Sequence, residues 1–369
     1  MLPNSAAGAW VATFGVAGGI AFAYFLAARL GLALRPEPVR MAVFWPASGI
    51  AAGILITAGR RAGLAVVIGV TVGSVTAIIL NHRGLLDSTL LGACNLGEVV
   101  LFSSLFLRWI RGPFAFRNLQ GVMGFLTIAG IAVATSGIGG AAILTSSVGL
   151  YPAAWQTWFL SHLVGVLVAA PLMVELAQLR REPPRPIETI KAMGVLTLLG
   201  LASAYLAMQP TGSWLTFSPN AAVLPLLLWL AARFHPAFAI AGGFLVSSTV
   251  ICATTFNVGW FGNTAVPLAE RVHGAQVSVL TVMVVTLVLV TLFERLRTRE
   301  EAFRRLLGAL PAAIQTTDPI GRITYCNQAA IDMWGTRRSL AKTRGTISIG
   351  FIIPTARLCR IMNNPAKSP

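Results

Sequence analysis

Apolar runs of membrane-spanning length, separated by short polar gaps, fill the first 293 residues of the chain. A helix needs about 20 residues to cross the hydrocarbon core of a bilayer. We therefore predict an all-α polytopic membrane helix bundle of about eight to ten spans, with an even number favoured. The predicted spans are residues 10–34, 41–59, 62–81, 86–107, 120–147, 155–179, 192–209, 213–232, 236–256 and 276–293.

The apolar pattern ends at Glu294, where the charged segment 294–301 begins. A bilayer would not accept this segment, so the chain returns to water there. A helix predicted at 295–308 carries apolar residues along one side, namely Leu296, Phe303, Leu306 and Leu307. This helix could pair with a second copy of the chain, as in a coiled coil, or it could be a solvated connector.

A small mixed segment follows the charged helix. Residues 314–317 and 323–326 predict two strands, and Asp318-Pro319-Ile320-Gly321 between them has the proline and glycine positions of a tight turn. A helix is expected from Asn327. The predicted domains are a membrane domain at 10–294, a linker helix at 295–308, an incomplete soluble domain at 309–335 and a basic tail at 336–369.

Composition supports a membrane protein. The chain is 56% hydrophobic and 11% charged, whereas a soluble domain carries about 25% charged residues. The formal net charge of +16 is expected of cytoplasmic loops. Nucleic-acid binding is not predicted, because no basic helix or aromatic platform accompanies the charge.

Arginine and lysine concentrate in alternate connections, which predicts that both termini are cytoplasmic. Arg35, Arg40 and Arg83 are exceptions to this pattern. The connections on the other side are polar, Gly-rich and nearly uncharged, and an aromatic belt is expected there. The belt residues would be Trp155, Trp158, Trp214 and Trp260.

Glu98 is the one carboxylate deep inside a predicted span, and such a charge costs about 2.5–3.5 kcal/mol on insertion scales. Asn95 precedes it by three residues and shares its helix face. The pair could hold a proton, a cation or a polar ligand, or it could fix the bundle through an interhelix hydrogen bond, which we favour.

His162 lies in the sixth predicted span, one turn after Trp158. Histidine titrates near neutral pH, so these two residues are further candidates for ligand or proton sensing. A packing histidine is the competing interpretation. Glu175, near Arg180 and Arg181 on the same span, is interpreted as an interfacial charge.

Glycine and proline suggest close packing and bends. Gly69 with Gly73, and Gly15 with Gly19, form G-x-x-x-G motifs, for which packing within one chain is favoured over a dimer face. A proline in a span frees a carbonyl and kinks the helix, which either lines a cavity or only bends the span. Pro46 and Pro171 are the prolines in question.

The four cysteines lack CxxC spacing. Neither a disulfide framework nor a metal site is predicted, and the sequence names no cofactor.

Four segments resemble, in order, motifs of the bacterial membrane-associated sensor family, the first and multi-helix type of that name. They are W-P-x-x-G at Trp45, Pro46 and Gly49, N-x-x-E at 95–98, W-x-x-W…G…P-L at 155–172 with Gly165 and Pro171, and P-L-L-x-W-x-A-x-R-F at 225–234.

The resemblance covers residues 10–294. It implies a sensory input domain of the bacterial inner membrane, usually joined to a histidine kinase or a diguanylate cyclase, and it implies no known ligand. Family members commonly carry Asp at the position of His162. Residues 306–335 resemble the opening of a PAS domain, with Asp318, Gly321 and Asn327 as motif residues.

The residues after Gly335 are fewer than the rest of a PAS domain requires. The tail 336–369 has no Asp or Glu and shows no strand or helix period. We favour a frameshifted or truncated reading of a longer receptor over a native tail that lies on anionic lipid.

We therefore predict a sensory input module that passes a ligand or membrane-state signal to a cytoplasmic PAS or effector region. No enzymatic motif is visible in the sequence. The expected partners are membrane lipid, a second copy bound through the helix after Glu294, and a downstream kinase or cyclase module.

One alternative is a transporter with a mid-membrane site, which uptake into liposomes would reveal. Another is a non-functional remnant of a longer receptor.

Overall fold

The computed structural model describes residues 6–36, 42–110, 114–148, 151–209, 219–318 and 323–334. Ten apolar helices dominate these residues, and every predicted span coincides with one of them, which confirms the all-α polytopic fold. The helices are α1 Ala6–Ala33, α2 Pro46–Ala58, α3 Gly63–Ile79, α4 Leu85–Trp109, α5 Leu119–Val148, α6 Tyr151–Arg181, α7 Pro186–Met208, α8 Pro219–Arg233, α9 Pro236–Thr255 and α10 Leu268–Ala309.

Seven of these helices, α1, α4 to α7, α9 and α10, are long and apolar enough to cross a bilayer. The other three, α2, α3 and α8, are shorter. At 1.5 Å per residue, the 13 residues of α2 reach about 20 Å, which is less than the hydrocarbon core of about 30 Å. The predicted number of spans therefore stays a prediction.

The chain divides between Glu294 and Arg295 into two compact units. The first is the helical bundle, and its outward-facing side chains are largely apolar, as on α1 and α7, where Phe14, Phe22, Leu198 and Leu201 are each at least half exposed. A soluble protein rarely exposes such surfaces, whereas lipid accepts them.

Glycines bring α1 and α3 together. A Cβ atom on Gly69 would lie 2.7 Å from Cβ of Ile20, and one on Gly73 would lie 2.6 Å from the carbonyl oxygen of Ala21. This G-x-x-x-G motif thus packs within one chain, as favoured above. The motif of Gly15 and Gly19 has no atom within 4 Å of either added Cβ.

Three hydrogen bonds establish which helix ends lie together. Thr255 at the end of α9 donates to the carbonyl of Leu34 at 2.8 Å, and Gln276 of α10 donates to the carbonyl of Val43 at 2.9 Å. We call this the upper end of the bundle. Thr291 of α10 donates to the carbonyl of Phe116, between α4 and α5, at 3.3 Å. That connection marks the lower end, where α10 leaves the bundle.

The second unit contains a two-stranded antiparallel sheet, β1 Gln315–Thr317 and β2 Ile323–Cys326, followed by α11 Gln328–Trp334. Gln315 pairs with Cys326 and Thr316 with Tyr325. The predicted strands and the helix after them are confirmed. The predicted tail at 336–369 lies outside the described residues.

Candidate functional site

A buried polar network joins four helices of the bundle. Glu98 on α4 and His162 on α6 are 2% and 4% exposed, and Nδ1 of His162 lies 2.8 Å from Oε2 of Glu98. Ser136 on α5 donates to the same carboxylate oxygen at 2.7 Å. Ser48 Oγ on α2 lies 3.3 Å from Nδ1 of His162. The network therefore fixes α2, α4, α5 and α6 against one another.

Two tryptophans enclose the imidazole of His162. The ring of Trp158 stacks on it with centroids 4.2 Å apart and an interplanar angle of 16°, and Trp45 stacks at 5.7 Å and 15°. The indole Nε1 of Trp158 also donates to Ser136 Oγ at 3.1 Å. The indole rings therefore limit both rotation of the imidazole and entry of water to it.

This arrangement determines which tautomer the imidazole adopts. An ionised Glu98 accepts hydrogen bonds from Ser136 and His162, which places a hydrogen on Nδ1 of the imidazole. The shared carboxylate therefore fixes both the tautomer and the orientation of the ring.

Asn95 is buried on the same face of α4 as Glu98, but it bonds to a different helix. Its Nδ2 donates to Ser74 Oγ on α3 at 2.7 Å, and its Oδ1 is buried without a hydrogen-bond partner. A buried acceptor without a donor costs about 1–3 kcal/mol. Oδ1 of Asn95 is therefore an atom to which water or a ligand would donate.

A cavity of about 70 Å³ lies beside the network at the upper end of the bundle. It runs from partly exposed residues between α3 and α4 to the buried imidazole. The candidates Asn95, Trp158 and His162 line it, and Glu98 stands behind His162. Its lining includes Trp45, Asn81, Arg83, Asn95, Trp158 and His162.

The MASE1 family model matches residues 16–300. The chain belongs to the MASE1 family. This is the membrane-associated sensor family that the motifs resemble. A PAS domain model matches residues 301–363. That match extends past residue 335, where the likeness was predicted to stop, and the origin of the tail stays a prediction. No curated protein and no solved structure matches the chain.

MASE1 membership together with the apolar helices makes the chain a multi-pass membrane protein. The MASE1 and PAS matches make it a sensory input module of a signalling receptor. The two matches include no catalytic domain. Among the described residues, no group of three or more His, Cys, Asp or Glu could hold a metal ion.

The MASE1 motif residues meet where α2 packs on α6. A Cβ atom on Gly165 would overlap the carbonyl oxygen of Trp45, and one on Gly49 would overlap the carbonyl oxygen of Gly165. The backbone N–H of Trp45 donates to the carbonyl of Ser161 at 3.0 Å. The two glycines thus allow the backbone contact that places Trp45 against His162.

The two prolines have different roles. Pro46 is the first residue of α2, a position that needs no N–H donor. The kink expected at Pro46 is therefore absent from this helix. Pro171 lies inside α6 and is buried. It removes one helical hydrogen bond there, but it does not line the cavity.

The prediction that Trp158 belongs to an aromatic belt was wrong, because this residue is 6% exposed and belongs to the core. Its neighbours Ser136 and His162 supply the polar contact and the stacking surface that hold it inside. Trp155 is partly buried and donates to the carbonyl of Ala134, and Trp260 is 40% exposed. Trp214 lies outside the described residues.

Glu175 was interpreted as an interfacial charge, and this was wrong. Its side chain is 0% exposed, and both carboxylate oxygens are buried without a hydrogen-bond partner. The rotation of α6 turns it inward, toward the field of Arg117 rather than that of Arg180 and Arg181. Arg117 itself pairs with the exposed Glu182 at 2.7 Å.

The PAS-like residues belong to the second unit. Oδ1 of Asn327 accepts from the backbone N–H of Ile314 at 2.9 Å and of Ala330 at 3.0 Å. Its Nδ2 donates to the carbonyl of Ala312 at 2.7 Å. Asn327 therefore joins the strands to α11. Asp318 is partly buried, and Gly321 lies outside the described residues.

The sequence did not single out Ser48, Ser136 or Gln276. Serine is common in membrane helices and carries no signal by itself. Gln276 carried such a sequence signal, because an uncharged amide inside an apolar span needs a hydrogen-bond partner. It is 0% exposed and bonds the segment before α2.

Proposed function

We propose that the chain is the input part of a bacterial inner-membrane receptor and that its stimulus acts at the upper cavity. Both termini would be cytoplasmic, because the lower connections carry Arg108, Arg117, Arg180, Arg181 and Arg233 and positive charge favours the cytoplasmic side. The upper cavity would then open to the outside, and the segment after Glu294 would carry the signal to a PAS or effector region.

One observation carries this proposal, namely the bonding of the segment from Val43 to Trp45. Trp45 lines the cavity, and its backbone N–H is held by the Ser161 carbonyl of α6. Two residues earlier, the Val43 carbonyl accepts from the Gln276 side chain of α10. A ligand that displaces Trp45 would therefore alter a contact to the helix that continues past residue 294.

The proposed mechanism is a population shift between two packings of α2 against α6 and α10. A ligand can shift such an equilibrium only by its differential affinity for the two packings. Because Trp45 contacts the cavity and its segment contacts α10, the two sites would share one moving element.

The test is amide hydrogen exchange of the full chain in lipid nanodiscs. His162→Gln should change exchange in α10 residues 276–293, because it removes the stacking partner of Trp45. Gln276→Met should abolish that response to His162→Gln while the cavity remains intact. Leu199→Ala on α7, which is also fully buried, is the control for general destabilisation.

If Leu199→Ala changes α10 exchange as much as His162→Gln does, the response reflects lost stability and the proposal fails. An unchanged α10 in His162→Gln would also contradict it.

The proposal includes a homodimer through the helix after Glu294. Leu296, Phe303 and Leu306 are 59%, 60% and 67% exposed on that helix. Leu296 and Phe303 are separated by one heptad. Apolar side chains at this spacing favour a helical partner, and a second copy of the chain supplies the same stripe.

A further inference from the structure

The upper cavity has one charged lining side chain among the described residues, Arg83, and no carboxylate. Arg83 lies between α3 and α4 and is partly exposed. The positive-inside bias does not explain this arginine, because most of the cationic connections lie at the opposite end, and only Arg35 and Arg40 share its exception. A guanidinium at a cavity mouth favours a carboxylate or a phosphate.

The inner end of the cavity presents a hydrogen-bond acceptor, so it favours a ligand group that donates a hydrogen bond. Oδ1 of Asn95 is buried and lacks a donor, and Asn95 lines the same cavity as Arg83. Trp45 and Trp158 also line it, and an indole ring attracts cationic groups. The ligand that satisfies both ends carries an anionic group and a hydrogen-bond donor a short distance away.

The cavity volume limits the size of such a ligand. One water needs about 10–15 Å³ of cavity space, so the cavity of about 70 Å³ has room for about five atoms of that size. Nucleotides, sugar phosphates and peptides are too large. Glycine, alanine and lactate are of the right size.

We propose that the cavity binds a small α-amino or α-hydroxy carboxylate. Its carboxylate pairs with Arg83, and its amino or hydroxyl group donates to Oδ1 of Asn95 beside the two tryptophans. This assignment rests on the proposed function for the cavity, because it names the chemical class of the stimulus.

The test is calorimetric titration of the full chain in nanodiscs with glycine, L-alanine, L-lactate, acetate and methylammonium. At least one of the first three should bind, and acetate and methylammonium should bind at least about tenfold more weakly, because each retains only one of the two interactions.

Arg83→Gln should weaken the binding about tenfold or more, and Arg83→Lys should retain part of it. Arg108→Gln, at the lower end, is the matched control and should leave the affinity unchanged.

Two results would overturn this assignment: no binding of any carboxylate at millimolar concentration, or binding that Arg83→Gln and Arg108→Gln affect equally. Hydrogen exchange of α10 distinguishes failure of this ligand assignment from failure of the proposed function. A carboxylate that binds through Arg83 without changing α10 contradicts the signalling role alone. Cavity variants that change α10 while no carboxylate binds contradict the ligand class alone.

Discussion

The Nδ1 atom of His162 lies 2.8 Å from Oε2 of Glu98, and both side chains are buried inside the bundle. A lone carboxylate at this depth would be strongly destabilising. Here a helix that comes 64 residues later in the chain supplies the partner. The pair therefore links the folding of α4 to that of α6, and its two members should not act independently.

A double-mutant cycle tests that dependence. Glu98→Gln and His162→Gln should each lower the free energy of unfolding by about 2–4 kcal/mol, because each leaves a buried polar partner unsatisfied. The double variant should lose less than the sum, with a coupling of about 1–3 kcal/mol. Unfolding in detergent micelles measures all four proteins. Strict additivity would contradict the pairing, and Glu182→Gln, on an exposed side chain, should have little effect.

The helices were predictable because the length of an apolar run is a local property of the sequence. The pairing of Glu98 with His162 was not, because hydropathy does not fix how each helix rotates about its axis. The same limit explains Glu175. Arg180 and Arg181 are its neighbours in sequence, but the rotation of α6 carries its side chain into the core.

Gly49 and Gly165 show what a motif can and cannot reveal. The resemblance identified both residues, but only the packing of α2 on α6 shows why no side chain fits there. Ser48 and Ser136 could not be found from sequence, because a serine that bonds a carboxylate across helices looks like any other serine in an apolar run.

Gly165→Ala tests the close approach of α2 and α6. Its added Cβ would overlap the carbonyl of Trp45, so the helices must separate and the protein should lose about 1–3 kcal/mol of unfolding free energy. Gly194→Ala on α7 is the matched control. No atom lies within 4 Å of its added Cβ, and helix propensity alone should stabilise it by up to about 1 kcal/mol. Thermal unfolding in detergent compares the two, and equal midpoints would exclude the proposed contact.

The dimer proposal predicts a pattern of disulfide cross-links. In a chain whose native cysteines are replaced by alanine, Leu296→Cys and Phe303→Cys should form covalent dimers in membranes on mild oxidation. Glu301→Cys, also exposed but on another face of the same helix, should react far less. Non-reducing electrophoresis gives the result. Equal cross-linking at all three positions would indicate random collision instead of a helix pair.

His235 predicts a pH dependence of stability at the lower end of the bundle. Its Nδ1 accepts from the backbone N–H of Ala237 at 3.2 Å and so caps α9, and its Nε2 is buried without a partner. Burial, and next the charge of Arg117, lower the pKa of His235, while Glu294, Glu188 and Glu182 raise it less. The imidazole is thus held in its neutral form.

A lowered pKa means that the folded protein binds fewer protons than the unfolded chain. The stability from His235 is therefore fully present above the unfolded value of about 6.5 and is lost as the pH falls from there through the lower folded pKa. The slope has an upper limit of about 1.4 kcal/mol per pH unit for one proton, and partial exposure should keep it below that limit.

His235→Asn keeps a capping acceptor that does not titrate, so it should match the wild type at pH 8 and show a flatter loss between pH 7 and 5. His82→Asn, in an exposed turn with a positive φ that asparagine tolerates, should leave the wild-type profile unchanged. Unfolding followed in detergent across this pH range decides the matter, and a wild-type slope that survives in His235→Asn would assign the proton to another group.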